Sequence, residues 1–560
     1  MYTSKVALLG AVFLLLLFVA QGIFFIRANS QTIDEAAHLA AGYSYLATRD
    51  FRLNPEHPPL IKELLALPLF LGYGVPFHPD PQHWNKGDSY AVGRDFLYKS
   101  MLPADRMLTV SRLPNLLLGG VLLVLIGWWA YRLWGRHAAT LAMFLTSLEP
   151  NLIAHSSLVT TDMGVTLFIF LTIYLFWEYV NLPIWRLLTG SGISTGMALV
   201  SKFSAILLIP MIALIVAVSL LIRSGPHVLL PLENNRNQPR HKFLHAALVI
   251  AFIAFFASLA ISPAYFFQGF SYWLHGFEKV LTHAQEGHPS FFLGKHYYEG
   301  EIGYFPVAFF IKTPIGTLAL IFASLVLYKF GKPLDTGQAI FLMLPVIVFF
   351  AAAIAAKIDI GIRHILPVYP FLFVLASRLA TVHFCRWGAR LMVAALVLTA
   401  ISSLRIAPHQ LAYFNEFVGG PEQGYRYLGD SNLDWGQDLK GVKAYMEKER
   451  LPIIYFSYFG TAPPSYYGIR YQYVLNTGAV ELPLPTDKMP ATAQRKILAI
   501  SVYNLQDVST AYDPLFRWLW TRQPIAKIGY SIFIYDLTDD QDGLAKLEEA
   551  YVKAGIERTP

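Results

Sequence analysis

Apolar residues in this chain come in long, nearly uninterrupted runs rather than in the period-two alternation of a half-buried sheet. Runs near 6–27, 107–131, 137–150, 161–181, 186–201, 203–222, 243–262, 304–328, 337–356, 365–383 and 389–406 predict eleven membrane helices. The yardstick is the ~20 residues that cross a hydrocarbon core of ~30 Å, and the third and fifth runs fall short of it. The first run follows Lys5, lacks a small-residue cleavage site before Gln21 and exceeds a signal-peptide core, which predicts a retained helix. Basic residues then recur in alternate connections: Arg132 and Arg136; Arg186; Arg223, Arg236, Arg240 and Lys242; Lys329 and Lys332; and Arg378, Arg386 and Arg390. The positive-inside rule makes these cytoplasmic. The loop 28–106, the loop 263–303, the turn 357–364 and everything beyond Arg405 are then expected on the other side.

That other side carries its own periodicity. Ala36, Ala37, Leu39, Ala40, Tyr43 and Leu46, and again Leu60, Ile61, Leu64, Leu65 and Leu67, follow helical spacing and predict amphipathic helices lying in the interface. After residue 406 the pattern changes. Asp438 to Arg450 predicts a helix; Ile453–Phe459, Tyr471–Leu475, Lys496–Val502 and Tyr530–Tyr535 predict strands, and a polar helix closes the chain. The expected fold is a polytopic α-helical membrane domain over 1–406 followed by a soluble α/β domain over 407–560, with no internal repeat and no low-complexity tract.

Composition agrees with a membrane protein: 55% of the 560 residues are hydrophobic, 15% aromatic and only 14% charged. The net charge of +7 does not point to nucleic acid, because residues 407–560 hold 15 Lys/Arg against 18 Asp/Glu, of totals of 44 and 37. The excess sits in the membrane part, where loop charge sets orientation. A single cysteine, Cys385, excludes an internal disulfide framework and a multi-thiolate metal site.

The chemistry gathers in the first large loop. Asp34-Glu35, and then Asn54-Pro55-Glu56-His57-Pro58-Pro59-Leu60, stand just beyond an apolar run. Carboxylates there cost little to keep in water, yet lie at the depth where a lipid-borne substrate presents its head group.

A first span, Asp-Glu in a following helix, a Glu with a basic neighbour before Pro-Pro, and Thr161-Asp162-Met163-Gly164 opening a later span together resemble the GT-C superfamily of polyprenyl-phosphate-dependent glycosyltransferases. The pattern is most similar to the protein O-mannosyltransferase and aminoarabinose transferase group. Lys312-Thr313-Pro314, Gly361-Ile362-Arg363-His364-Ile365-Leu366-Pro367, Tyr413-Phe414-Asn415-Glu416 and the run Asp430 to Asp438 extend the resemblance to about residue 440. It implies a sugar carried on a polyprenyl phosphate, a hydroxyl-bearing acceptor on a lipid, glycan or protein, and work at the outer face of a bacterial inner membrane.

Such a transfer needs a base for the hydroxyl proton, charge to balance the departing phosphate, and a surface for the sugar. Asp34 is the expected base; the alternative is a helix N-cap. Glu35 is expected to support it or to touch the acceptor. The resemblance places an acid at Glu56 with Asp34 around a metal ion, and puts His57 where a lysine is usual. A divalent ion would require Asp34, Glu56 and His288 to converge, so metal is left open and no cofactor is assigned. Asp162, opening a span, is costly unless paired or functional. Lys312, inside the eighth run, and Arg363, ahead of the tenth, are candidate phosphate ligands; Lys202 either joins them or snorkels to the interface. His288, Lys295, His296, Tyr297 and Tyr298 make the loop 263–303 a candidate lid over a sugar, with His57 and His364 also facing substrate.

The run Asp430 to Gly436 invites a calcium-loop reading, but its glycine is one place late and Gly441 stands where the final Glu belongs. A turn that docks the soluble domain is the better expectation. A ligase using a diphosphate-linked donor and a lipid or sugar transporter compete with the transferase reading. Ionisable residues collected at one face, without repeat halves, speak against transport.

Overall fold

The computed structural model describes residues 2–221, 239–474 and 487–553. Arg223 and Arg236 of the basic connections, residue 222 of the sixth run and Leu475 of the second expected strand lie outside the described residues. The membrane part contains α1 (Tyr2–Ala28), α2 (Glu35–Thr48), α3 (Pro59–Gly72), α4 (Pro81–Lys86), α5 (Ser89–Tyr98), α6 (Ala104–Trp134), α7 (Arg136–Ser147), α8 (Pro150–Ser156), α9 (Asp162–Asn181), α10 (Trp185–Leu199), α11 (Leu208–Leu221), α12 (Pro239–Ala264) and α13 (Ser271–Glu286). A hairpin of β1 (Ser290–Phe292) and β2 (Lys295–Tyr297) follows, then α14 (Tyr304–Lys312), α15 (Ile315–Val326), α16 (Thr336–Ile354), α17 (Val368–Ser377) and α18 (Arg386–Ile406).

Over the described residues each of the eleven apolar runs is mostly helical. Among the described residues six helices are long and apolar enough to cross a membrane: Ala7–Ala28, Ala104–Trp134, Asp162–Asn181, Leu244–Ala264, Thr336–Ile354 and Arg386–Ile406. The chain is a multi-pass membrane protein. Phe203–Val218 and Val368–Thr381 are shorter apolar helices, and α7 and α10 have 12 and 15 residues.

Two expectations are corrected. The eighth run, expected as one helix over 304–328, breaks at Thr313-Pro314, where α14 and α15 meet at 112°. Thr313 is extended, as a residue before proline prefers, and Pro314 has no N–H to continue the helical ladder. The helix α2 is not half-exposed in an interface, because every residue from Glu35 to Tyr45 is buried. Its neighbours α3 and α5 close on it through glycines. A Cβ on Gly42 would stand 2.0 Å from the Lys62 carbonyl oxygen, and one on Gly93 would stand 2.6 Å from that of Ala36. Small residues permit this backbone approach.

The C-terminal α/β domain follows α19 (Leu439–Lys448) with β3 (Ile454–Ser457), β4 (Tyr471–Tyr473), β5 (Ile497–Ser501), α20 (Val502–Leu505), β6 (Ala526–Ile528), β7 (Ile532–Asp536) and α21 (Gln541–Lys553). The sheet order is β4-β3-β5-β7-β6, with β4, β3 and β5 parallel and β7 and β6 antiparallel. The three-residue strand β6 and the hairpin β1–β2 are too short to leave a sequence pattern. Phe291 of the hairpin, Phe459, Tyr503 and Val508 form a small core against Ile33, which joins the hairpin, the α/β domain and the turn before α2.

Candidate active site

The turn between α1 and α2 is set from α6. Arg112 donates to the carbonyls of Ile26, Asn29 and Ser30 at 3.2, 3.1 and 2.8 Å, the first of them an oxygen that a helix end leaves without an intrahelical partner. It also grips Glu35 through two bonds of 2.7 and 2.6 Å. The Glu35 oxygens accept further from the amides of Val159 at 2.9 Å and Thr32 at 2.8 Å. This buried pair is completely hydrogen-bonded, the condition under which buried charge is tolerated. Glu35 therefore pins the turn that carries Asp34, and its oxygens are committed within the protein.

Asp34 occupies the N-cap position of α2 without making a capping bond. Its Oδ2 instead accepts from Nη1 of Arg363 at 3.1 Å, and its Oδ1 from the hydroxyl of Tyr90 at 3.3 Å. Arg363 lies on the 3-10 turn Ile362–Ile365, its guanidinium 4.3 Å above the Trp435 ring. Burial works against its charge, but Asp34, Asp162 and Asp430 outweigh that and hold its pKa above the usual value. Its Nε is buried with no hydrogen-bond partner among the described residues. Close by, Lys202 donates to Asp162 at 2.6 Å, so this lysine is paired with an acid rather than extended toward an interface.

His38, His57 and His364 share the neighbourhood. The rings of His38 and His57 stand 4.7 Å apart, and Nδ1 of both, like Nε2 of His364, is buried without a partner among the described residues. Burial lowers the pKa of His38 to about 4 although Asp34 pulls it back up. Burial, then nearby cations including Lys202 and Arg363, pushes His57 and His364 well below the ordinary range. His57 is thus neutral near pH 7 and adds no positive charge. Glu56 accepts from Nδ2 of Asn54 at 2.7 Å.

Other expected residues are committed to different contacts. Lys312 donates to the carbonyls of Leu411 at 2.8 Å and Asn432 at 2.5 Å, over the ring of Phe414. Two of its three donors hold main chain, so it staples the segment 411–432 rather than presenting charge beside Asp34. His288 bonds the Pro289 carbonyl at 2.8 Å, and Tyr297 packs on Phe292. The expected lid is clamped: His296 bonds the Gln506 carbonyl at 2.6 Å, and the Leu293 amide donates to Tyr427 at 2.8 Å. Among the described residues no group of three or more His, Cys, Asp or Glu side chains is placed to hold a metal ion. Asp34, Glu56 and His288 do not form the ligand set that a divalent ion would need.

The turn 430–438 docks. Asn432 accepts from the Ile362 amide at 2.9 Å and donates to the Tyr304 hydroxyl at 2.8 Å, while Asp434 accepts from the amides of Tyr503 at 3.1 Å and Gly436 at 3.3 Å. Sequence reasoning missed Tyr90 and Arg112, which no motif marks, and Trp435, whose ring matters only because the docked turn brings it under Arg363.

Residues 11–275 match the family described as dolichyl-phosphate-mannose-protein mannosyltransferase. No curated protein matches the chain in sequence. Among solved structures, ArnT from Cupriavidus metallidurans bound to undecaprenyl phosphate is 14% identical with a TM-score of 0.47, over 93% of this chain and 97% of that one. Its apo state is 13% identical with a TM-score of 0.49, over 96% and 98%. The apo oligosaccharyltransferase of Archaeoglobus fulgidus is 12% identical with a TM-score of 0.41, over 78% and 58%.

Proposed function

We propose that the protein transfers a sugar from a polyprenyl-phosphate donor to a hydroxyl acceptor, with inversion, at the outer face of a bacterial inner membrane. The observation that carries this reading is the pair of Asp34 with Arg363, whose buried Nε has no hydrogen-bond partner among the described residues. A buried donor without a partner is costly, and a guanidinium beside a carboxylate is a ready site for a phosphate oxygen. An entering phosphate competes with Asp34 for Arg363 and releases Oδ2. The acceptor oxygen then attacks the anomeric carbon and its proton passes to Asp34. The bond from that carbon to the phosphate oxygen breaks, and the electron pair leaves with the phosphate, where Arg363 and Lys202 offset its charge.

Asp34→Asn keeps the shape but cannot take the proton. Sugar transfer is expected to be lost in this variant while undecaprenyl phosphate still binds within about a few-fold of wild type. Transfer at the wild-type rate would remove Asp34 from the mechanism. The family match over residues 11–275 supports the donor class.

A further inference from the structure

The segment that delivers Asp34 is bonded to the α/β domain along most of its length. The Ser30 amide donates to the Gln437 carbonyl at 2.8 Å and the Ile33 amide to that of Trp435 at 3.0 Å. The Ser30 hydroxyl donates to Gly436 at 3.3 Å and accepts from the Leu439 amide at 3.1 Å. Thr461 completes the set. Its hydroxyl accepts from Nε2 of Gln31 at 2.5 Å and donates to the Ile33 carbonyl at 3.0 Å. That carbonyl belongs to the peptide group whose N–H is Asp34's own, so the hydroxyl orients the plane from which the Asp34 side chain departs.

The place of Thr461 in the sheet gives this meaning. It follows the C-terminal end of β3, while Tyr503 follows that of the parallel neighbour β5, and Tyr503 stacks on Phe459 with centroids 3.7 Å apart. In open α/β sheets this edge is where ligands are bound. Here the segment 30–33 of the membrane domain occupies it, and Thr461 is 3% exposed, with its hydroxyl committed to that segment. The family match ends at residue 275, so the contact comes from a part of the chain outside it.

We propose that the α/β domain is part of the catalytic apparatus and that Thr461 is a positioning residue through which it aims Asp34; this rests on the reading of Asp34 as the base. A general base must meet the hydroxyl within hydrogen-bond reach, and small misplacements are expensive in rate. Thr461→Val keeps the volume and removes both bonds.

Turnover is followed in native membranes as formation of free undecaprenyl phosphate, and affinity as binding of added undecaprenyl phosphate to purified protein. Thr461→Val is expected to lower turnover about tenfold without a measurable change in affinity, and to speed amide exchange in residues 30–34. Thr461→Ser, which retains the hydroxyl, is expected to recover turnover. Wild-type turnover in Thr461→Val beside an inactive Asp34→Asn overturns the role of Thr461 and leaves the base in place, whereas an active Asp34→Asn overturns the base itself. Equal loss in Thr461→Ser also overturns the proposal, because the methyl rather than the hydroxyl would then matter. If Thr461→Val does not fold, Thr461→Ala removes the same two bonds, including the one to the Ile33 carbonyl, and unchanged turnover there is decisive against the proposal.

Discussion

Arg363 and Lys312 are alike in sequence, cations ahead of or inside an apolar run, yet their surroundings give them different work. Arg363 faces Asp34 and keeps a buried Nε without a partner among the described residues; Lys312 spends its donors on two carbonyls. Arg363→Ala is expected to weaken binding of undecaprenyl phosphate about tenfold or more, since it removes a charge-assisted contact. Lys312→Ala is expected to leave that affinity unchanged and to lower stability by about 2–3 kcal/mol, because it orphans buried carbonyls. Binding isotherms and thermal unfolding of the two variants separate the roles, and an affinity loss in Lys312→Ala would put that residue back at the phosphate. Glu35 teaches the same lesson. It is adjacent to Asp34 in sequence, but one residue further along the turn meets Arg112 and two amides instead of the site.

Among elements, α2 shows how a helix position is fixed by its neighbours rather than by its own amphipathicity. Gly42 is where the backbone of α3 comes closest. Gly42→Val places carbon atoms where the Lys62 carbonyl already lies. Overpacking of this kind costs about 1–3 kcal/mol, and here it pushes α3 away together with Lys62, which donates to Tyr45 at 2.8 Å and to the Asn54 carbonyl at 2.7 Å. A lower unfolding temperature and weaker transfer are expected together, since Asp34 is the N-cap of α2. Wild-type stability in this variant would show that α2 and α3 do not approach as described. The break between α14 and α15 belongs to the same scale: Thr313-Pro314 is visible in the sequence as a helix interruption, but the 112° bend is a property of the packed structure.

For the whole molecule, the shared site requires the first loop, the loop 263–303 and the α/β domain on one side of the membrane. Gln82, Lys295 and Asp539 are exposed and sample these three regions, while Cys385 is exposed in a connection expected on the other side. Single cysteines at the three positions in a Cys385→Ser background are expected to react with an impermeant maleimide added to intact spheroplasts, and the native Cys385 only after lysis. A different response from any one of the three would break the shared-site arrangement.

The sequence by itself determined the class of the molecule. Long apolar runs, alternating basic loops and a late change to strand periodicity specify a multi-pass helical domain followed by an α/β domain, because solvent partition acts on composition over windows of ~20 residues. It also singled out Asp34, Asp162, Lys202 and Arg363, since charge beside or inside an apolar run stands out. Pairing was left to the tertiary structure. Asp34 finds Arg363 across 329 positions and Asp162 finds Lys202 across 40, while the contact of Thr461 with Ile33 spans 428. Hydrogen bonds act over about 3 Å, so no local pattern records which distant donors and acceptors the fold will bring together.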